Sequence, residues 1–355
     1  MSRYDYDELY VIAPGETIKE LLEVNCMNQL DLASKIGINK KTVNEIINGK
    51  APITTETALK LEYVFGLPAS FWNNLESNYR IALERKKDID LIKNEVIYLE
   101  NIPYLEMSKR KWDGISATKD PFLRVINLRK FFGVASLNFN TELRKKIACR
   151  KSSSEHFSLD ALYCYLRYGE IQSNKLEYPK FDVEKLKDNV KKIRKLTNKM
   201  FLPQLDEIRK LLSECGVALI YEPHLPNTYI NGVAYKITPD KAIIMISDKG
   251  KQDDILWFTL FHEIAHLIKH SKKDVFIDNL ESGLVNDIER DADNYAKNIL
   301  IPDNDYCNFV NGVITEKSII DFSKTLNILP GILVGRLHKD KIIPWNRYNK
   351  LVNRI

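Results

Sequence analysis

Trp257-Phe258-Thr259-Leu260-Phe261-His262-Glu263-Ile264-Ala265-His266 decides how the second half of this chain is read. The apolar spacing predicts an amphipathic helix over about 253–270. His262 and His266 fall one turn apart on one face, so both imidazoles can reach a single metal ion. Glu263 sits beside them, placed to take a proton from a water activated there. The alternative is an exposed helix that happens to carry two histidines. The pattern stands out because the chain has only 6 histidines.

A metal held this way needs a third ligand. His270 is excluded, because eight residues of helix rise about 12 Å between His262 and His270. Glu289, in a second helix expected over about 287–300, is the better candidate. At helical spacing Glu289, Ala292, Asp293 and Ala296 share a face. It offers a carboxylate ligand, small residues that permit close approach to the first helix, and Asp293 one turn on, able to hydrogen-bond a ligating histidine. Glu289 also suits a helix N-terminus for electrostatic reasons alone. Asp278, Glu281 and Asp287 remain as alternatives. The implied chemistry is hydrolysis of a peptide bond, with Zn²⁺ on His262, His266 and Glu289 and with Glu263 as general base. Tyr295 and His338 join the site only if the fold carries them there.

Ahead of this helix, Val217-Ala218-Leu219-Ile220-Tyr221 and Ala242-Ile243-Ile244-Met245-Ile246 are short β-prone runs. A weaker one, Tyr229 to Ile237, lies around Asn231-Gly232, so a small sheet of about three strands is expected. Beyond Pro302, helices are expected near 315–326 and 330–338. Residues 81–200 show several helices but no chemical motif, with a loop at Lys151-Ser152-Ser153-Ser154.

The first 80 residues read as five short helices. Gly15-Glu16-Thr17 opens the first. Asn28 caps the second, which carries Leu30, Leu32, Ala33 and Ile36 and is stopped by Gly37. Asn39 caps the third, with Val43, Ile46 and Ile47 inward and Asn48-Gly49 closing it. A fourth runs over about 55–65 and a fifth over about 69–79. Helices two and three have helix-turn-helix spacing, with small Ala33 at the crossing and Gly37 supplying a positive φ for the tight turn. Asn39, Lys40, Lys41, Thr42 and Asn44 then form the DNA-facing side of the third helix, and Gln29 is a phosphate contact. The alternative is a plain helical bundle with a solvated lysine pair.

Length and composition bound these readings. The 355 residues allow about two or three domains. With 44% hydrophobic and 28% charged residues the chain can bury a core and is neither disordered nor fibrous. Ile255 to Phe261 is far shorter than the roughly 18 apolar residues a membrane span needs. Asp5, Asp7 and Glu8 precede any apolar run, unlike the basic start of a signal peptide. The 5 cysteines are widely spaced and form no CxxC, which points to reduced thiols in a cytoplasmic protein. The net charge of +5 divides unevenly: −3 over residues 1–80, +10 over 81–200 and −2 over 201–355. The basic middle reads as lysine-rich solvated helix faces. An acidic DNA-binding domain would gain from bivalency, so a homodimer on a palindromic operator is expected.

The N-terminal residues resemble HigA-type (VapI-like, XRE-class) antitoxin domains. The resemblance is carried by Pro14-Gly15-Glu16, the helix-turn-helix, Asn48-Gly49-Lys50, Ile53 to Ala58 and Phe71-Trp72. The remainder is similar to the ImmA/IrrE metallopeptidase family through residues 257–263, the Glu289 to Ala296 segment, Ile301-Pro302 and Pro330 to Leu337. Ala265 stands where that family often has glycine. These resemblances imply a mainly α protein with a small β-sheet (α+β) in three parts: 1–80 a five-helix DNA-binding domain, 81–200 a helical middle, and 201–355 a gluzincin-like metallopeptidase domain. They imply an autorepressing regulator or antitoxin acting with operator DNA, a HigB-like toxin or a protein substrate. A zinc protease that cleaves a regulator, or a catalytically silent zinc sensor or scaffold, are the alternatives.

Overall fold

A computed structural model describes residues 12–138, 157–269, 276–277 and 285–355 of the chain. The loop expected at Lys151 to Ser154 lies outside the described residues, as do His270, Asp278 and Glu281. The chain divides into two compact units, one from described residues of 1–99, 118–130 and 135–137, the other from 100–117, 131–134 and 138–355.

The first unit begins with α1 (Pro14–Val24), α2 (Gln29–Ile36), α3 (Lys40–Ile47), α4 (Thr55–Phe65) and α5 (Ala69–Glu95). Local chemistry sets most of these ends. Asn28 accepts from the backbone of Leu30 and Asp31 while Asp31 returns a bond to Asn28, a reciprocal cap that starts α2. Gly37, at φ 66°, ends it in the left-handed conformation that allows α3 to follow at once. Ile18, Leu32, Ala33, Val43, Ile46 and Leu61 pack around Trp72, all buried. Leu30, expected among the apolar positions of α2, is exposed instead, because it falls on the outer face of an eight-residue helix.

The fifth helix does not end near residue 79 but runs to Glu95. No glycine or proline interrupts residues 80–95. Glu95 is buried at its end, where it accepts from Arg129 of helix α6 (Pro121–Phe132) at 2.9 Å through each carboxylate oxygen and from the Leu137 backbone at 3.0 Å. Asp88 takes the third guanidinium nitrogen at 2.8 Å.

The second unit contains α7 (Tyr104–Lys109), α8 (Leu159–Asn174), α9 (Val183–Arg194) and α10 (Leu205–Ser213), then the strands β1 (Val217–Tyr221), β2 (Gly232–Thr238) and β3 (Lys241–Ile246). They are followed by α11 (Asp253–Lys269), β4 (Phe276–Ile277), α12 (Val285–Leu300), α13 (Asp303–Val310), α14 (Glu316–Thr325) and α15 (Pro330–Lys339). The sheet is mixed: β3 lies between parallel β1 and antiparallel β2, and the two-residue β4 extends it along β2.

The apolar strand runs make sense because both faces are covered. Val217, Leu219, Ala242, Ile244 and Ile246 enter the core shared with Leu256, Trp257 and Phe261 of α11. The alternate residues face α8, where the Tyr235 hydroxyl donates to the Leu166 carbonyl and Gly169 packs on Met245. Helix α13 was not legible in the sequence: Pro302, expected only to end α12, also starts the next helix. Among the described residues no helix is long and apolar enough to cross a membrane.

Burial acts to raise the Glu95 carboxyl, but Arg129, Ser136 and the Leu137 backbone more than offset it and hold it below the usual range. The stability it lends is present above the ordinary glutamate range, about 4.3, and is lost as pH falls through the depressed folded value. Arg129→Ala leaves this buried carboxylate without its cation. It is expected to cost about 3 kcal/mol at neutral pH, measured by urea unfolding, and less at a pH low enough to protonate Glu95.

Candidate functional sites

In the second unit, α11 passes along the sheet with its chemical residues turned away from the apolar core. Its start is fixed by Asp253, whose carboxylate accepts from the Phe201 backbone at 3.0 Å, and by the Trp257 indole, which donates to the Lys199 carbonyl at 3.1 Å. Helix α12 lies against it through Ala292 and Ala296, both fully buried. The C-terminal end of α12 is held by two arginines. Arg194 donates to the carbonyls of Ile299 and Leu300, both at 2.7 Å, and Arg336 donates to those of Lys297 and Ile301. Carbonyls at a helix's C-terminal end lack the full set of backbone partners, and the positive charge also suits the helix end.

This packing brings three side chains together. His262 Nε2 lies 3.0 Å from His266 Nε2 and 3.1 Å from Glu289 Oε2, which is 3.6 Å from His266 Nε2. An ion about 2.0–2.1 Å from each of three tetrahedral ligands would space them roughly 3.3 Å apart, close to the observed triangle. Two nitrogens and one carboxylate oxygen form a donor set suited to a divalent cation. Burial acts to raise the Glu289 carboxyl, but the hydrogen bonds and charges of His262 and His266 outweigh it and bring it down to about 2. The group is therefore an anion at neutral pH.

The remaining residues named from the sequence fall as follows. Glu263 is buried beside the two histidines on α11. Asp293 Oδ1 is 2.9 Å from His262 Nδ1. His338 lines the same cleft, but its Nε2 is bonded to the Arg347 carbonyl at 2.9 Å and its ring stacks on Trp345. Tyr295 packs under Lys269, whose ammonium is 5.8 Å from the ring centre. Asp287 pairs with Arg290 at 2.8 Å instead of joining the cluster.

The cluster opens on a cleft of about 670 Å³ whose walls come from α11, α12, α15 and the segment 345–352. Two of its features were not read from the sequence. The weaker strand expected over Tyr229 to Ile237 starts at Gly232, which opens β2 directly against α11. A Cβ there would lie 2.7 Å from Glu263 Oε1 and 2.5 Å from Thr259 Cγ2, so the missing side chain makes room for the carboxylate. Asp254, one residue beyond the helix start, reaches the cleft as well.

In the first unit, α3 presents Lys40 and Lys41 to solvent, with Lys41 only loosely paired to Glu45 at 3.9 Å. Asn39 caps the helix: its Oδ1 accepts from the Thr42 backbone at 2.7 Å and from the Thr42 hydroxyl at 2.9 Å. Asn44 Oδ1 accepts from Asn48 at 3.0 Å, and Gln29 stands half-buried at the first position of α2. The two lysines are thus the readily available charges on this face, while the carboxamide oxygens of Asn39 and Asn44 already serve the helix.

Two family models match the chain. Residues 18–72 match the helix-turn-helix family and residues 213–314 match the IrrE N-terminal-like domain. The chain is 32% identical over 78 residues to the uncharacterized HTH-type transcriptional regulator YddM of Escherichia coli (strain K12), covering 22% of this chain and 82% of that protein. It is 32% identical over 89 residues to virulence-associated protein I of Dichelobacter nodosus, covering 24% and 82%. A solved addiction module antidote protein of the HigA family from Coxiella burnetii shares 37% identity over 24% of this chain and 94% of that one, with a TM-score of 0.23.

Gly232→Ala tests the packing around Glu263. The added methyl is expected to push the carboxylate off its position at a stability cost of about 1–3 kcal/mol, leaving the His262–His266 nitrogen separation unchanged. A crystal structure of the variant reads both, and an unmoved Glu263 would reject the argument.

Proposed function

Because the chain belongs to the helix-turn-helix family of transcriptional regulators and carries an IrrE N-terminal-like peptidase domain, we propose that it is an operator-binding regulator joined to a zinc-dependent endopeptidase. The observation that carries the enzymatic half is the buried convergence of His262, His266 and Glu289 with Glu263 beside them. Zn²⁺ held by those three residues would supply Lewis-acid polarisation of the scissile carbonyl and of the attacking water. Glu263 would serve as the general base for the attacking water and return the proton to the departing amine, a task that asks for a carboxylate fixed in place. Asp293 Oδ1, 2.9 Å from His262 Nδ1, favours a proton on that nitrogen, which would leave Nε2 as the ligating nitrogen. A site with a purely structural metal has no use for Glu263.

The regulatory half rests on α2 and α3. Lys40 and Lys41 neutralise phosphates at the major groove, Asn39, Thr42 and Asn44 lie along base edges, and Gln29 contacts the backbone. A homodimer on a palindromic operator compensates for the acidic balance of this part of the chain by doubling the contacts. A HigB-like toxin as bound partner, a protein substrate and a cytoplasmic location complete the proposal.

Two measurements test it. Purified protein is expected to hold one zinc per chain. His262→Ala should lose it, while Glu263→Gln should keep it and lose at least a hundredfold in cleavage of an unfolded protein substrate. Retained cleavage in Glu263→Gln rejects the assignment. For the other half, Lys40→Ala with Lys41→Ala should weaken operator binding and lower the slope of log K against log salt by about 2, one per lost phosphate contact. An unchanged slope rejects the DNA-facing assignment of α3.

A further inference from the structure

Asp254 is the carboxylate in the cleft that no cation meets among the described residues. Asp253 beside it turns inward, where its Oδ1 accepts from the Phe201 backbone. Asp254 instead lines the cleft, with Oδ2 2.3 Å from where a Cβ on Gly335 would stand, so α15 approaches it only because that position carries no side chain. Its Oδ1 has no accessible surface and accepts no hydrogen bond from the described residues. No lysine, arginine or histidine among the described residues lies within ion-pair distance of it. Burial, helped by the Asp253 charge, outweighs the backbone N–H groups of Asp254 and Ile255 that favour the ionised form and pushes its carboxyl up to about 6.

Of the cations lining the cleft, Arg336 and Lys297 are otherwise engaged, while Lys339 is exposed to solvent. Arg336 donates to the Lys297 and Ile301 carbonyls and to Asp303, and it lies over the Tyr306 ring at 3.8 Å. Lys297 pairs with Asp340 at 3.1 Å. The geometry points to Asp254 as a subsite for the basic side chain, lysine or arginine, of a bound peptide. A carboxylate removed from water without a cation is costly, and an arriving ammonium or guanidinium recovers that cost through a charge-assisted bond. Ile255 and Val352 in the same cleft offer apolar surface for the aliphatic stem of such a side chain.

The inference rests on the endopeptidase reading and narrows its substrate class. Asp254 precedes His262 by eight residues of helix, about 12 Å of rise. An extended peptide covers about 3.3 Å per residue, so the basic residue would lie within about four positions of the scissile bond.

The test uses the full-length, zinc-loaded Glu263→Gln protein and a Glu-C digest of unfolded casein as probe, with retained peptides sequenced by mass spectrometry. Peptides bearing lysine or arginine at a fixed position should be enriched roughly tenfold or more over the input. Glu263→Gln/Asp254→Asn should lose that enrichment while still holding one zinc and unfolding at the same temperature, and Asp254→Lys should invert it toward acidic residues. Retention without basic enrichment, or enrichment that survives Asp254→Asn, overturns the subsite and leaves the endopeptidase reading standing. Retention of no peptide at all overturns both.

Discussion

Helix α12 can lie close enough to α11 for a carboxylate to meet two imidazoles only because Ala292 and Ala296 keep the contact between them small. The site in the second unit depends on that one crossing. A larger side chain at either alanine would move Glu289 away, since interiors packed to crystal-like density do not absorb an extra methylene without a shift. The crossing is secured far from the cluster, where Arg194 and Arg336 satisfy the carbonyls that α12 leaves unpaired at its C-terminal end. Two basic residues separated by more than a hundred positions in the chain thus do the same task on the same helix end.

The carboxylates of this cleft have been driven in opposite directions by one variable, the presence of a cationic partner. Glu289 is buried yet brought down to about 2 by two imidazoles, whereas Asp254 is buried without a cation and pushed up to about 6. The same burial that would neutralise a lone acid leaves a partnered one firmly ionised. Glu95 in the first unit repeats the partnered case, with Arg129 in the role of the imidazoles. The +10 balance of residues 81–200 takes on part of its meaning here. Arg129 and Arg194 are structural cations that hold helix ends and buried acids, while Lys187 and Lys191 sit in exposed pairs of the kind that contribute little.

Legibility in the sequence followed the range of the interaction. The mainly helical class with a small sheet, the helix carrying His262 and His266, and the caps at Asn28, Gly37 and Asn39 were all readable, because each is decided within one or two turns of chain. The extent of α5 is not legible locally, because its end is set by Glu95 meeting Arg129, 34 residues away. Helix α13 is not legible either, because a proline reads equally well as a stop and as a start. The outward turn of Leu30 reflects which face of α2 the neighbouring helices leave uncovered.

The sequence by itself determined the chemistry on offer: two histidines one helical turn apart with a glutamate beside them, a second acidic helix with alanines one turn apart, and a helix-turn-helix pair whose ends are written in asparagine and glycine. Only the tertiary structure decided which acid completes the triangle, that Gly232 lies under Glu263, and that Asp254 faces a cleft without a cation. The physical reason is that periodicity assigns a residue to a face of its own helix. What that face meets depends on close approach between backbones distant in the chain, and on the burial that then sets each charge.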